Sequence, residues 1–229
     1  MKTIGLIGGM SWESTVDYYR LINEAVKREL GGLHSAKIIL VSVDFQEIEN
    51  YQFAGQWDKS AQVLSDAARR LEGAGADFIL ICTNTMHKVA DQVAAAITIP
   101  LVHIARVTGD ALIAKDIQKV GLLGTVFTME EPFYRKEIEA KGIEVVVPNQ
   151  EDRQLVSQII YEELCLGILS DDSRRTYLRI IAELAAQGAE AVILGCTEIG
   201  LLVKQGDTLV PLFDTTTIHA ESAAVKSLE

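Results

Sequence analysis

The stretch IGLIGGMSWEST, beginning at Ile4, is echoed by VGLLGTVFTMEE, beginning at Val120, and in both an apolar run ends in a glycine or glycine–threonine turn. Two further pairs follow in the same order. ILICTNT from Ile79 resembles VILGCTE from Val192, and IPLVHIA from Ile99 resembles VPLFDTT from Val210. Aligned, Gly5 falls on Gly121, Thr83 on Cys196 and His103 on Asp214, at offsets of 116, 113 and 111. That slow drift is what changes in loop length produce, and three pairs in one order are hard to obtain by chance. Such a repeat predicts two similar α/β lobes facing each other across a cleft. In parallel sheets ligands sit beyond the carboxyl ends of the strands, so polar residues at those ends are the functional candidates.

The rest of the chain agrees with that class. Short β-branched runs at 3–7, 37–43, 78–81, 101–104, 120–123, 144–147, 191–194 and 209–213 alternate with amphipathic patterns such as 14–30, 59–74, 154–166 and 173–187. Alternation of this kind implies mostly parallel sheets flanked by helices. The expected lobes are 1–104 with 209–229, and 105–208. At 48% hydrophobic the chain can bury a substantial core. A formal charge of −11 argues against nucleic acid, which requires a basic face. It does not exclude a small acidic ligand, because a few local donors can hold an anion. Three cysteines, Cys82, Cys165 and Cys196, form too sparse and odd a set for a disulfide framework and suggest reduced thiols in the cytoplasm. The amino terminus reads as a first strand rather than an export signal. No apolar stretch is long enough to span a bilayer, so no membrane partner is expected.

Which residue of ILICTNT corresponds to Cys196 is a question of register. Neighbouring strand residues point to opposite faces, so Cys82 and Thr83 cannot face the same way if the strand continues. Placing Thr83 on Cys196 puts Cys82 on Gly195, inside the lobe, where a cysteine acts as a small hydrophobe. Thr83 and Cys196 are therefore the candidate cleft-facing pair. Thr197 is placed to cap a helix beginning just after Cys196, and a helix amino terminus would lower the thiol pKa. Glu198 either orients a ligand amine or occupies the first helical turn, where acids are favoured.

Neutral donors complete the set. Gly9 and Met10 follow the first strand, where backbone N–H groups can approach a carboxylate, and Thr125 is the matching position in the second lobe. Asn84 and Thr85 are either donors to the ligand or a helix cap. Gln52 either reaches the cleft or lies in a solvated loop. With Thr197, all of these are candidate ligand-binding residues. His87 and His103 read as structural histidines, Cys165 as a core residue, and no Cys/His spacing suggests zinc or another metal.

These residues resemble the aspartate/glutamate racemase family over nearly the whole chain, through GLIGGMSWEST, ILICTNTMHK and VILGCTEIGLL. Within it the chain is similar to the enterobacterial amino-acid racemases of the YgeA type. The resemblance implies racemisation without a cofactor, pyridoxal phosphate included, between two pseudo-symmetric lobes. One thiolate removes the α-proton from one face and a thiol opposite donates a proton to the other, roles that fall on Cys196 and Thr83 as the catalytic residues here. It also implies a homodimer, and aspartate or glutamate as the first substrates to consider. The chain departs from the family pattern at Thr83, where most members carry cysteine, and at Gln52, where some aspartate-specific members carry arginine. Two alternatives remain open: a single-cysteine decarboxylase or isomerase of the same superfamily, or a non-catalytic amino-acid-binding protein.

Overall fold

A computed structural model describes residues 1–229 and divides them into two compact units, Met1–Ile104 with His219–Glu229, and Ala105–Ile218. The first unit contains β1 (Ile4–Gly8), α1 (Trp12–Leu30), β2 (Ile38–Ser42), α2 (Phe45–Phe53), α3 (Trp57–Gly73), β3 (Phe78–Ile81), a 3-10 turn (Thr85–Val89), α4 (Ala90–Ala95) and β4 (Leu101–Val102). The chain passes to the second unit at the start of α5 (Ile104–Ile113). There it forms β5 (Lys119–Gly124), α6 (Val126–Glu130), α7 (Pro132–Glu139), β6 (Glu144–Val146), α8 (Gln150–Glu162), a 3-10 turn (Leu164–Leu166), α9 (Asp171–Ala186), β7 (Ala191–Gly195), α10 (Ile199–Leu202) and β8 (Leu212–Asp214). It returns within α11 (Thr215–Leu228). No helix is long and apolar enough to cross a membrane.

Each unit has one four-stranded parallel sheet, in the orders β2-β1-β3-β4 and β6-β5-β7-β8. The ladders reproduce the offsets of the sequence repeat. Ile4 pairs with Phe78 in the first sheet and Val120 with Ala191 in the second. Counting along β3 and β7 from those pairs sets Cys82 on Gly195 and Thr83 on Cys196. Ile79 pairs with Leu101 and Val192 with Leu212, which sets His103 on Asp214. Residues 209–218 lie in the second unit, not with the first lobe as expected from sequence, because β8 is hydrogen-bonded to β7.

An apolar stripe sets the buried face of the longer helices, and several of them also begin at a capping side chain. In α3, Ala61, Leu64, Ala68 and Leu71 recur at helical spacing and are buried, and the helix packs on β1, β2 and β3. Burying Leu64 and Leu71 contributes roughly 1.5–3 kcal/mol each. Ser170 caps α9 by accepting from the Ser173 N–H, with Asp171 and Asp172 in the first turn, where acids meet the positive end of the helix. The pattern read as one helix at 154–166 is α8, capped by Asn149, followed by the separate turn Leu164–Leu166. Cys165 in that turn is half-buried against the second unit's core rather than inside it.

Candidate active site

In the first unit the ends of β1 and β3 are neighbours, since these strands pair as far as Ile7 and Ile81. The ladder runs one residue further, with Cys82 N–H donating to Ile7 O at 2.9 Å. Cys82 is fully buried, and burial pushes its thiol pKa up. Thr83 is half-buried, and Asn84 and Thr85 are buried at the start of the 3-10 turn. Asn84 stands at its amino end without a side-chain capping bond.

The glycine turn after β1 is satisfied from within. Gly9 N–H donates to Thr15 Oγ1 at 2.9 Å, and that hydroxyl donates to Ser11 O at 2.8 Å. The expected role of the Gly9 N–H as a carboxylate donor is therefore corrected: it is spent on Thr15. Glycine is required there for another reason. Its φ is +92° and a Cβ would lie 2.3 Å from Val43 O. The Met10 side chain belongs to the hydrophobic core. Gln52 is not in a solvated loop. Asp44 caps α2, which buries Gln52 with Nε2 donating to Met86 Sδ at 3.0 Å.

In the second unit Gly124 and Gly195 are opposite one another, so Thr125 and Cys196 leave adjacent strands. A Cβ at Gly195 would lie 2.6 Å from Leu123 O, so the residue before Cys196 has to lack one. Thr125 caps α6, its Oγ1 accepting from Thr128 N–H at 3.4 Å. Cys196 is 8% exposed, and its thiol donates to Glu198 Oε2 at 2.9 Å. Thr197 Oγ1 donates to the same oxygen, also at 2.9 Å.

This arrangement corrects the expected thiolate. Thr197 is not a helix cap: α10 has only four residues and Glu198 precedes it without a capping bond. Burial first, then the Glu198 charge, raises the Cys196 pKa well above an ordinary thiol's. The thiol thus donates to a carboxylate whose charge opposes its ionisation.

Sequence reasoning missed several supporting residues. Thr215 Oγ1 donates to Leu194 O at 2.8 Å and Thr216 Oγ1 to Thr197 O at 3.4 Å, bracketing Cys196. Their signal was the threonine run after β8, where Asp214 accepts from Thr216 N–H and the Thr217 hydroxyl. His219 gave no local signal; it accepts from Tyr18 OH at 2.8 Å and donates to Val102 O at 2.9 Å. No group of three or more His, Cys, Asp or Glu side chains is arranged to hold a metal ion.

Residues 7–223 match the Asp/Glu/hydantoin racemase family. A crystal structure of a proposed Asp/Glu racemase from Yersinia pestis is 58% identical, covers all of both chains and superimposes with a TM-score of 0.92. An aspartate racemase homologue from Pyrococcus horikoshii is 38% identical over all of both chains, with a TM-score of 0.84. The broad-specificity amino-acid racemase RacX of Bacillus subtilis is 22% identical over 96% of this chain and 95% of its own.

Proposed function

The chain belongs to the Asp/Glu/hydantoin racemase family, and from that membership and its strand-end residues we propose an amino-acid racemase that needs no cofactor. Its 58% identity to the Yersinia structure supports the enterobacterial subtype, and its substrate is aspartate or glutamate. Cys196 and Thr83 address opposite faces of Cα. The observation that supports this reading is the pair of equivalent strand ends, one followed by a cysteine hydrogen-bonded to a carboxylate and the other by a half-buried threonine at the matching position.

The chemistry is unequal at the two faces. For one enantiomer the Cys196 sulfur takes the α-proton while its own proton passes to Glu198 Oε2, leaving the electron pair on Cα. Thr83 then relays a proton from water to the opposite face, its hydroxyl regaining a proton as it gives one up, and the site resets when Glu198 releases its proton to solvent. In the reverse direction a hydroxyl must serve as base, and its alkoxide is barely populated near neutral pH. Asn84, Thr85, Thr125, Thr197, and the Gly9–Met10 turn through groups other than the Gly9 N–H, supply the donors for the α-carboxylate and ammonium, and Gln52, buried against Met86, is a further substrate-binding candidate.

A homodimer in the cytoplasm completes the proposal. Trp12, Val16 and Tyr19 form an exposed apolar stripe at helical spacing on α1, and all three cysteines are thiols. A second reading, decarboxylation or isomerisation by one thiol, is favoured by the protonated resting state of Cys196, which suits protonation of an enolate.

Incubating both enantiomers of the protein amino acids in D2O, with chiral separation and mass analysis, tests these readings. Racemisation places deuterium at Cα of the opposite enantiomer of an acidic amino acid. Conversion of a disubstituted malonate with release of CO2, or isomerisation of maleate, without amino-acid exchange would favour the second reading. Binding without turnover would remove both.

A further inference from the structure

The two candidate strand ends are held by different means. Beside Cys196 the Thr215 and Thr216 hydroxyls grip the Leu194 and Thr197 carbonyls. The ladder alignment sets Ile104 at the Thr215 position, and isoleucine has no side-chain donor. In the first unit an imidazole makes the connection instead. Ile104 N–H donates to His87 Nε2 at 3.1 Å. With Nε2 an acceptor, the neutral ring carries its hydrogen on Nδ1, which donates to Thr83 O at 2.8 Å. The ring is buried, with His103 edge-on at 4.5 Å and His219 at 5.9 Å between centroids. Both nitrogens are engaged, so the ring is a strut rather than a proton carrier.

We infer that His87 is a positioning residue for the reaction. It holds the Thr83 peptide to the first turn of α5, so that the Thr83 hydroxyl stays aimed at Cα. The inference rests on the proposal that Thr83 supplies the second face.

The two amides separate the two functions of the ring. Asparagine places an N–H near Nδ1, toward Thr83, whereas glutamine places an oxygen near Nε2, toward Ile104. The measured quantity is the ratio of racemisation to deuterium wash-in at Cα of the recovered substrate, for the enantiomer whose proton Cys196 removes. Loss of folded enzyme lowers both rates alike; misplacement of Thr83 lowers only racemisation. In H87Q the ratio falls at least about tenfold, since small misplacements of a reacting group are costly. In H87N it stays near wild type. An unchanged ratio in H87Q, or equal falls in both variants, overturns the inference.

Thr83→Val is the control for the reading beneath it. If its ratio matches wild type, Thr83 is not the second-face group and the inference goes with that reading. If Thr83→Val lowers the ratio while H87Q does not, only the inference is lost. Should H87Q fail to fold, nitrogen NMR of the wild-type imidazoles decides: a His87 ring protonated on Nε2 overturns the inference, and one protonated on Nδ1 supports it.

Discussion

Cys196 and Glu198, two residues apart, share a hydrogen bond of 2.9 Å in which the thiol is the donor and the carboxylate the acceptor. The charge of that carboxylate, together with burial, opposes ionisation of the thiol, and in the proposed reaction it is the acceptor of the thiol proton. Glu198→Gln keeps an acceptor but removes the charge and the basicity. Racemisation should fall about a hundredfold, while Cys196 ionises at lower pH because the charge opposing its ionisation is gone. Thiolate ultraviolet absorbance against pH, with Cys196→Ser as blank, checks the second point. If Glu198 only supports α10, stability would drop and the rate per folded enzyme would not.

Thr125→Val is nearly isosteric but removes the cap of α6. The expected cost is about 1 kcal/mol of stability, measured by urea denaturation. A further loss of roughly 1.5–3 kcal/mol in transition-state binding, read from kcat/KM, is expected if the hydroxyl also donates to the substrate carboxylate. A stability loss with unchanged kcat/KM would confine Thr125 to capping.

Cys82→Ala should cost about 1–2 kcal/mol through the small cavity left in a fully buried site, with little effect on turnover. Abolished activity in this variant, with Thr83→Ala harmless, would make Cys82 the second group.

His219 is pushed down to about 3 by burial, with the neighbouring His87 adding to the effect. An unfolded histidine binds its proton near pH 6.5. Between these values the unfolded chain holds the extra proton, so stability is intact above about 6.5 and falls as pH drops toward 3. The slope reaches about 1.4 kcal/mol per pH unit from this one group. His219→Gln, which retains a donor for Val102 O, should flatten the slope in denaturation series taken from neutral to acidic pH. An identical slope would remove His219 as its source.

The fold was legible because its signals are local. Eight apolar runs in order, and three repeated strand ends, anticipated two equivalent sheets, and the ladders return the same alignment of Thr83 with Cys196. Features that depend on where side chains turn in space were not legible. Nothing in GLIGGM indicates that Thr15 occupies the Gly9 N–H. The segment CTEIGLL promised a capped helix, whereas Thr197 and Cys196 both turn to Glu198 and only four residues wind up. Gln52 looked exposed because a nine-residue helix with one buried isoleucine has little periodicity to read. The His87 strut was invisible because it joins residues of a turn, a strand end and a helix start.

The central claim is that the Cys196 sulfur exchanges the α-proton. Serine at 196 conserves shape and a donor to Glu198, so the variant should melt close to wild type. Deuterium wash-in at Cα, followed for both enantiomers of aspartate and glutamate in D2O, measures the claim directly. The account predicts that Cys196→Ser, folded, loses at least about a hundredfold of that exchange. Exchange near the wild-type rate in the folded variant would contradict it.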